Sequence, residues 1–240
     1  MKIGLIGDYQ ESITAHRAIP VALQLAADSL DLSVEPKWLP SDELQHESLD
    51  AYSGLWCVPA SPYSNNENVF AAIEYARRED IPFLGTCGGY QYAALEFVRN
   101  ELGYKQAENA EINPQTAMPV ISGLSCKLYD ERSEISFTKD SRIAAIYGKT
   151  RVAEEYYCGF GVNREYLNLY EDSDMRFSGF DSDGDPRSLE IPTHRFFIGT
   201  AFQPERSALS SEIHPTIRKE VSAHPLIVAF VAAVKCFIDR

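Results

Sequence analysis

The stretch Ile81-Pro82-Phe83-Leu84-Gly85-Thr86-Cys87-Gly88-Gly89-Tyr90 decides the fold of this chain. An apolar run that ends in Gly-x-Cys-x-Gly and then opens a helix predicts a nucleophile elbow, the tight turn that lifts one side chain above the end of a sheet. Cys87 then lies at a helix N-terminus, where the helix dipole favours the thiolate over the thiol. The alternative is a buried, unreactive cysteine beside flexible glycines. The strand–turn–helix context favours the elbow.

The bulk composition limits the classes of function. The chain has 240 residues, enough for one α/β domain or two small ones, and a formal net charge of −13. This acidity argues against nucleic acid and anionic membranes as partners, since phosphate binding needs clustered Lys and Arg. Five scattered cysteines fit neither a metal site nor a disulfide framework, and residues 2–7 indicate a core strand rather than a signal peptide. We therefore expect a cytoplasmic protein with reduced thiols, no metal and no cofactor.

Strand and helix patterns alternate along the chain, with no internal repeat. Residues 33–39 are predicted as an edge strand, because Pro36 cannot donate to a central ladder. Gly, Asp and Ser punctuate residues 115–190, which predicts β-hairpins added to the sheet. The prediction is an α/β fold, with a flavodoxin-like open, mostly parallel sheet and helices on both faces. Apolar runs place the other strands at about 2–7, 55–58, 81–84 and 196–202, and the last helix at about 225–238.

The sequence resembles a known family over essentially its whole length. The stretches Lys2–Tyr9, Val34–Leu39, Ile81–Pro114 and Glu190–Glu205 resemble the glutaminase domain of cytidine triphosphate (CTP) synthase, a class I (triad) glutamine amidotransferase. The chain is also similar to a free-standing bacterial group of proteins related to the C-terminal region of that synthase. The resemblance implies one class I glutamine amidotransferase-like domain over residues 1–240, without a synthase (amidoligase) domain.

In that family a cysteine thiolate attacks the side-chain amide of glutamine, and a histidine oriented by a glutamate acts as base and acid. Two backbone N–H groups hold the oxyanion, and the released ammonia travels to a synthase domain. The resemblance places Cys87 at the nucleophile and Glu205 at the triad carboxylate. Gly88 supplies one oxyanion N–H, and Gln91 and Glu111 fall where the family contacts the amino-acid end of the substrate.

Three positions depart from the family's pattern. The family's Phe-His-Pro-Glu is Phe202-Gln203-Pro204-Glu205 in this chain, so Gln203 stands at the catalytic base and cannot take up a proton near neutral pH. The Pro-Gly-Gly turn that supplies the other oxyanion N–H is Pro59-Ala60-Ser61, and Ala60 takes a positive φ less readily than glycine. The arginine that binds the carboxylate of glutamine is replaced by Gly159, which removes a clamp worth about 1.5–3 kcal/mol. We expect weak or no activity on L-glutamine.

Other side chains are candidates for the missing functions. His214 lies in residues 206–223, a loop longer than the family's, and is either a replacement base or a solvated surface residue. His194 lies at the far end of the predicted strand from the triad residues, so we expect a structural hydrogen bond rather than catalysis. Cys158 either approaches Cys87 as a disulfide partner or resolving thiol, or it is an unreactive cysteine.

Three hypotheses for the function stay open. In the first, an enzyme with Cys87 as nucleophile hydrolyses or transfers an amide or acyl group of a glutamine-related small molecule, with Gln203 and Glu205 in the degenerate triad. In the second, the chain is a non-catalytic binding or regulatory homologue. In the third, it is a glutaminase subunit that supplies ammonia to a separate synthase chain, as in CTP synthesis within pyrimidine metabolism. The Walker motif of the synthase half is absent from the chain, so that third function needs a partner.

Overall fold

A mixed ten-stranded sheet organises the computed structural model of the chain, which describes residues 1–209 and 222–239. Along the sheet the strands follow the order β2-β1-β3-β4-β10-β9-β8-β6-β5, and β7 pairs with β6. The strands are β1 (Lys2–Ile6), β2 (Glu35–Leu39), β3 (Gly54–Cys57), β4 (Phe83–Thr86), β5 (Glu108–Asn109), β6 (Pro119–Phe137), β7 (Arg151–Val162), β8 (Arg176–Phe180), β9 (Pro186–Glu190) and β10 (Phe197–Thr200).

The first half of the sheet is parallel, as the sequence predicts. β2, β1, β3, β4 and β10 pair in parallel, and their apolar side chains form the centre of the core. β2, which contains Pro36, lies at the edge of the sheet. β10 is shorter than predicted because the chain leaves the sheet after Thr200 and forms a 3-10 helix over Pro204–Leu209. The carboxyl ends of β4 and β10 therefore lie side by side, which is where the candidate site is built.

Helices cover both faces of the sheet. α1 packs against α5 and α2 against α3, while the side chains of β3 alternate between the two layers. The Trp56 ring lies 6.0 Å from the Phe230 ring of α5, whereas the Cys57 side chain faces α3, since a Cβ on Gly89 would lie 3.0 Å from Cys57 Cβ. The helices are α1 (Thr14–Ser29), α2 (Asn66–Arg78), α3 (Gly88–Glu96, followed by a π-helical turn over Phe97–Glu101), α4 (Arg142–Tyr147) and α5 (Pro225–Ile238).

The β6–β7 pair forms the hairpin region that the sequence predicts between residues 115 and 190. The two strands are antiparallel, with Leu128 opposite Cys158 and Tyr129 opposite Tyr157. A register shift between Tyr129 and Glu131 leaves Asp130 as a bulge with φ +50°. This hairpin forms one wall of a cavity above Cys87. In the described ranges, no helix has both the length and the apolar character needed to cross a membrane.

Candidate active site

Cys87 occupies a strained turn between β4 and α3. Its backbone has φ +52° and ψ −105°, a conformation rare for a residue with a side chain, and its N–H donates to Thr200 O at 2.8 Å. Only glycine fits at residue 89, since any Cβ there would collide with Cys57 O. The strand–turn–helix geometry predicted from the glycine-flanked cysteine is therefore present.

A second thiol lies against the Cys87 sulfur. Cys158 on β7 places its Sγ 3.3 Å from the Cys87 Sγ, and the Cys87 thiol also donates to Tyr157 O at 3.4 Å. The hydrogen bond with Cys158, together with burial, raises the pKa of Cys87, while acceptance of that hydrogen bond lowers the pKa of Cys158. The two thiols therefore titrate as a pair, and the thiolate that the helix dipole favours at Cys87 is opposed by its neighbour.

Gln203, which the sequence resemblance aligns with the family's histidine, lies beside the Cys87 sulfur. Its backbone N–H donates to Glu155 O of β7 at 2.8 Å, which ties the segment after β10 to the hairpin. Hydrogen bonding from the Gln203 side chain and from the Gly88 N–H lowers the pKa of Cys87, against the larger effects of Cys158 and burial. The Gln203 Oε1 atom is buried and has no hydrogen-bond partner among the described residues.

Glu205 is fully buried behind this pair. Thr86 Oγ1 donates to its Oε1 at 3.3 Å, but its Oε2 has no partner within the described part of the chain. Burial raises the pKa of Glu205 to about 8, so the carboxyl group is mostly protonated at neutral pH. Gln203 Oε1 and Glu205 Oε2 are thus both buried acceptors without a donor among the described residues. A histidine at residue 203 would remove the first acceptor and could donate its ring N–H to the second.

The Pro59-Ala60-Ser61 turn faces the start of α3. Against the expectation from the sequence, Ala60 adopts φ +80°, the left-handed conformation that the family's glycine would supply. A Cβ on Gly88 would lie 2.9 Å from Ser61 N, so the turn packs directly on the residue after Cys87. The turn therefore has a left-handed residue at Ala60 and lies against Gly88 at the start of α3. The backbone N–H groups of Gly88 and Ala60 are the two candidate oxyanion donors.

His16 supports this turn from behind, a role the sequence did not indicate. Gln10 N–H donates to its Nδ1 at 2.9 Å, so its Nε2 carries the proton and donates to Pro59 O at 2.9 Å. Burial lowers the pKa of His16, which keeps the ring neutral. An imidazole on the buried face of the first helix is indistinguishable from an ordinary core residue in the sequence.

Replacing His16 with phenylalanine should destabilise the protein by about 1–3 kcal/mol, because Pro59 O and Gln10 N lose their partner while the ring volume is kept. Urea denaturation at neutral pH measures the loss. His46→Phe is the matched control, since His46 is exposed and its ring bonds the side chain of the neighbouring Gln45. Equal stabilities for the two variants would show that the His16 hydrogen bonds do not hold the turn.

A cavity of about 440 Å³ opens beside Cys87. On one wall, Ser61 Oγ lies 3.2 Å from Glu111 Oε2 and 3.4 Å from Gln91 Oε1. Gln91 is almost fully buried, and its Nε2 donates to Phe160 O at 3.0 Å, so its amide already bridges the turn and the hairpin. Burial raises the pKa of Glu111. Among the predicted binding residues, Glu111 thus keeps the most free acceptor capacity.

The opposite wall is formed by β6 and β7 and differs from a carboxylate-binding wall. A Cβ on Gly159 would lie 2.6 Å from Tyr129 Oη, so the tyrosine hydroxyl occupies the space where a longer side chain at 159 would begin. Among the described residues that line this cavity, the cation is Arg206, and its Nη2 pairs with Asp130 Oδ1 at 2.5 Å. Its guanidinium also stacks over the Tyr157 ring at 5.7 Å. This cation is therefore already committed.

Six of the candidate residues from the sequence line the cavity, namely Ala60, Cys87, Gln91, Glu111, Gly159 and Gln203. Cys158 and Tyr129 reach the site only through the hairpin register, although the position of Arg206 next to Glu205 was a signal that could have been used. His194 bonds Ala76 O through Nε2 at 3.1 Å, in agreement with a structural role, and His214 lies outside the described residues. No group of three or more His, Cys, Asp or Glu side chains within residues 1–209 and 222–239 is arranged to hold a metal ion.

Comparison with known sequences identifies relatives. The profile of the glutamine amidotransferase class-I family matches residues 21–219. A CTP synthase from Cytophaga hutchinsonii is 33% identical over 239 residues, covering 93% of this chain and 44% of that protein. A CTP synthase from Thermococcus gammatolerans is 30% identical, again over 93% of this chain and 44% of that protein. The chain thus spans less than half the length of these curated relatives.

Comparison with solved structures confirms the fold. A structure described as the Trypanosoma brucei CTPS glutaminase domain with bound acivicin matches 98% of this chain and 94% of its own, with a TM-score of 0.84 and 21% identity. A glutamine amidotransferase from Thermotoga maritima matches 98% of each chain, with a TM-score of 0.62 and 14% identity. At these identities the likeness shows a shared α/β architecture.

Proposed function

The chain belongs to the class I glutamine amidotransferase family and resembles the glutaminase domain of CTP synthase, and on this basis we propose that it is a Cys87-dependent enzyme. It hydrolyses or transfers the acyl group of a small, glutamine-related amide. The observation that carries the proposal is the placement of Cys87 on a strained elbow at the floor of a 440 Å³ cavity, with Glu205 buried behind it. Backbone strain of this kind persists where the surrounding structure holds it for a function.

In the proposed reaction the Cys87 sulfur attacks the carbonyl carbon of the amide. The C–S bond forms, the oxyanion accepts hydrogen bonds from the Gly88 and Ala60 N–H groups, and collapse of the intermediate expels ammonia. Water then hydrolyses the thioester and regenerates the thiol. Gln203 orients the sulfur by hydrogen bonding, but its amide neither takes up nor releases a proton near neutral pH.

Proton transfer therefore needs another group. Cys158 is the nearest titratable side chain, since its sulfur lies 3.3 Å from the sulfur of the nucleophile, within hydrogen-bonding distance. A thiolate at Cys158 accepts the proton of Cys87 as the attack begins, and the resulting thiol donates it to the leaving amine. A thiol–thiolate pair is a weaker acid–base catalyst than an imidazole, so we expect slow turnover.

The charges in the cavity favour one class of amide. Glu111 and Asp130 are acidic, while the guanidinium of Arg206 is paired with Asp130, so no uncommitted cation among the lining residues meets a ligand carboxylate. Burying an unpaired carboxylate beside Glu111 is costly, whereas an amine there is favoured. We propose that the substrate carries an amino group and lacks the α-carboxylate of glutamine. γ-Aminobutyramide, which is glutamine without that carboxylate, represents the class.

Measuring ammonia release distinguishes L-glutamine from an amide without the α-carboxylate as the preferred substrate. We expect purified protein to turn over L-glutamine well below about one per second, and γ-aminobutyramide faster than L-glutamine. Cys87→Ser should abolish both activities. Cys236→Ser is the matched control, since Cys236 is exposed on α5, away from the cavity, and should retain them.

Two results would overturn the proposal. Rapid glutamine hydrolysis that requires Cys87 would favour a glutaminase subunit, and the identity to CTP synthases would then direct the search to a synthase partner chain. Absence of Cys87-dependent release from either amide, with the fold intact, would favour a non-catalytic binding homologue.

A further inference from the structure

Cys87 and Cys158 form a pair of sulfurs that the proposed hydrolysis only partly uses. Their Sγ atoms are 3.3 Å apart, both side chains are buried, and both line the cavity. They come from separate elements, the elbow after β4 and the strand β7. Two thiols in van der Waals contact at the floor of an open cavity are placed for chemistry with each other.

The other described cysteines lack this arrangement. Cys57 lies in the core against Tyr63 Oη, and burial raises its pKa to about 12. Cys236 is exposed on α5. Cys158, in contrast, accepts a hydrogen bond from Gln91 Nε2 at 3.3 Å, and this donor stabilises a thiolate at its sulfur.

We propose that Cys87 and Cys158 are a redox-active dithiol that small hydroperoxides oxidise to an intramolecular disulfide. The thiolate of the pair attacks one peroxide oxygen, so that an S–O bond forms and the O–O bond breaks, and the departing oxygen takes a proton from solvent and leaves as an alcohol or water. The second thiol then attacks the sulfenic sulfur. An S–S bond forms, the S–O bond breaks, and the sulfenic oxygen leaves as water with the thiol proton. The peroxide gains two electrons, one from each sulfur.

The local geometry allows this bond to form. The sulfurs must approach from 3.3 Å to the disulfide length of about 2.05 Å, a movement within the reach of side-chain rotation. The cavity, at about 440 Å³, admits hydrogen peroxide and small organic hydroperoxides. Because the second thiol is already in contact, it captures the sulfenic acid before a further peroxide converts it to the irreversible sulfinic acid.

This activity goes beyond amide hydrolysis and also limits it. The disulfide occupies the sulfur of the proposed nucleophile, so acylation stops until a small thiol reduces the bond. The same cavity then serves two chemistries that exclude one another.

Peptide mapping after exposure of the reduced full chain to stoichiometric hydrogen peroxide tests the proposal. We expect the wild type to lose two hydrogen masses, to yield one cross-linked peptide pair joining Cys87 and Cys158, and to recover fully with dithiothreitol. Cys87→Ser should instead accumulate sulfinic and sulfonic acid at Cys158, because the attacking thiolate then lacks its resolving thiol, and dithiothreitol should not reverse these products. Cys236→Ser should behave as the wild type.

A cross-link between any other cysteines would overturn the proposal. So would over-oxidation of Cys158 in the wild type at the rate seen in Cys87→Ser. The wild-type map decides the question even if Cys87→Ser does not fold, because it needs no variant. Since the readout is sulfur oxidation rather than ammonia release, it stands or falls independently of the proposed hydrolysis.

Discussion

Gln203→His should raise Cys87-dependent ammonia release from γ-aminobutyramide by about 10²–10⁴-fold, the usual contribution of a positioned acid–base group. The imidazole would stand between Cys87 and Glu205, where the orphan Oε2 of Glu205 can accept its N–H. That contact would replace the neutral carboxyl with a charge-assisted pair and relieve Cys158 of proton transfer. Steady-state kinetics across neutral pH measure the gain, which should follow the titration of a single new histidine.

Gln203→Asn is the matched control, since it changes the side chain without adding a titratable group and should give no gain. With L-glutamine as substrate, Gln203→His should help little, because the wall at Gly159 still offers no cation. Gly159→Arg needs Tyr129→Ser beside it, because a Cβ at residue 159 would lie 2.6 Å from the Tyr129 hydroxyl. Combining this pair with Gln203→His should restore more glutamine hydrolysis than the pair alone or Gln203→His alone. Strong rescue of glutamine hydrolysis by the histidine alone would show that the pocket never left glutamine.

Glu205→Gln should stabilise the protein above neutral pH by an amount on the order of a few kcal/mol. Burial raises the pKa of Glu205 from 4.5 to about 8, so the folded state binds this proton more tightly than the unfolded state. The contribution of the protonated carboxyl is fully present below about pH 4.5 and is lost as the pH rises through about 8. The glutamine variant keeps the shape and removes the titration, so its stability should not follow this decline.

Urea denaturation at several pH values between about 5 and 9 measures this difference. Cys87 and Arg206 are the charged or titratable neighbours of the carboxyl, so the series is best run in a Cys87→Ser background, which removes the thiol as a second titrating group. Glu131→Gln is the control, since Glu131 is exposed and should leave the slope of the wild type unchanged. Parallel pH profiles for Glu205→Gln and its parent would show that this carboxyl is ionised in the folded protein.

The fold and the position of Cys87 could be predicted because they depend on local chemistry. The glycines around Cys87 allow the tight turn between strand and helix, and Pro36 restricts its strand to an edge of the sheet. The contact between Cys87 and Cys158 could not be predicted, because it depends on the register of two long strands whose pairing shifts twice. The positive φ of Ala60 was likewise hidden, since it is imposed by packing against α3 and by the His16 hydrogen bond rather than by the preference of alanine.

The bulge at Asp130 gives the hairpin a way to evolve independently of the elbow. Because successive side chains of a strand point to opposite faces, the extra residue between Tyr129 and Glu131 determines which side chains of β6 line the cavity. Insertion or deletion of one codon at this point would exchange the inward and outward sets beyond the bulge in a single step. Descendants of this gene could thereby acquire a different ligand repertoire while the glycines, the cysteine and the central sheet stay untouched.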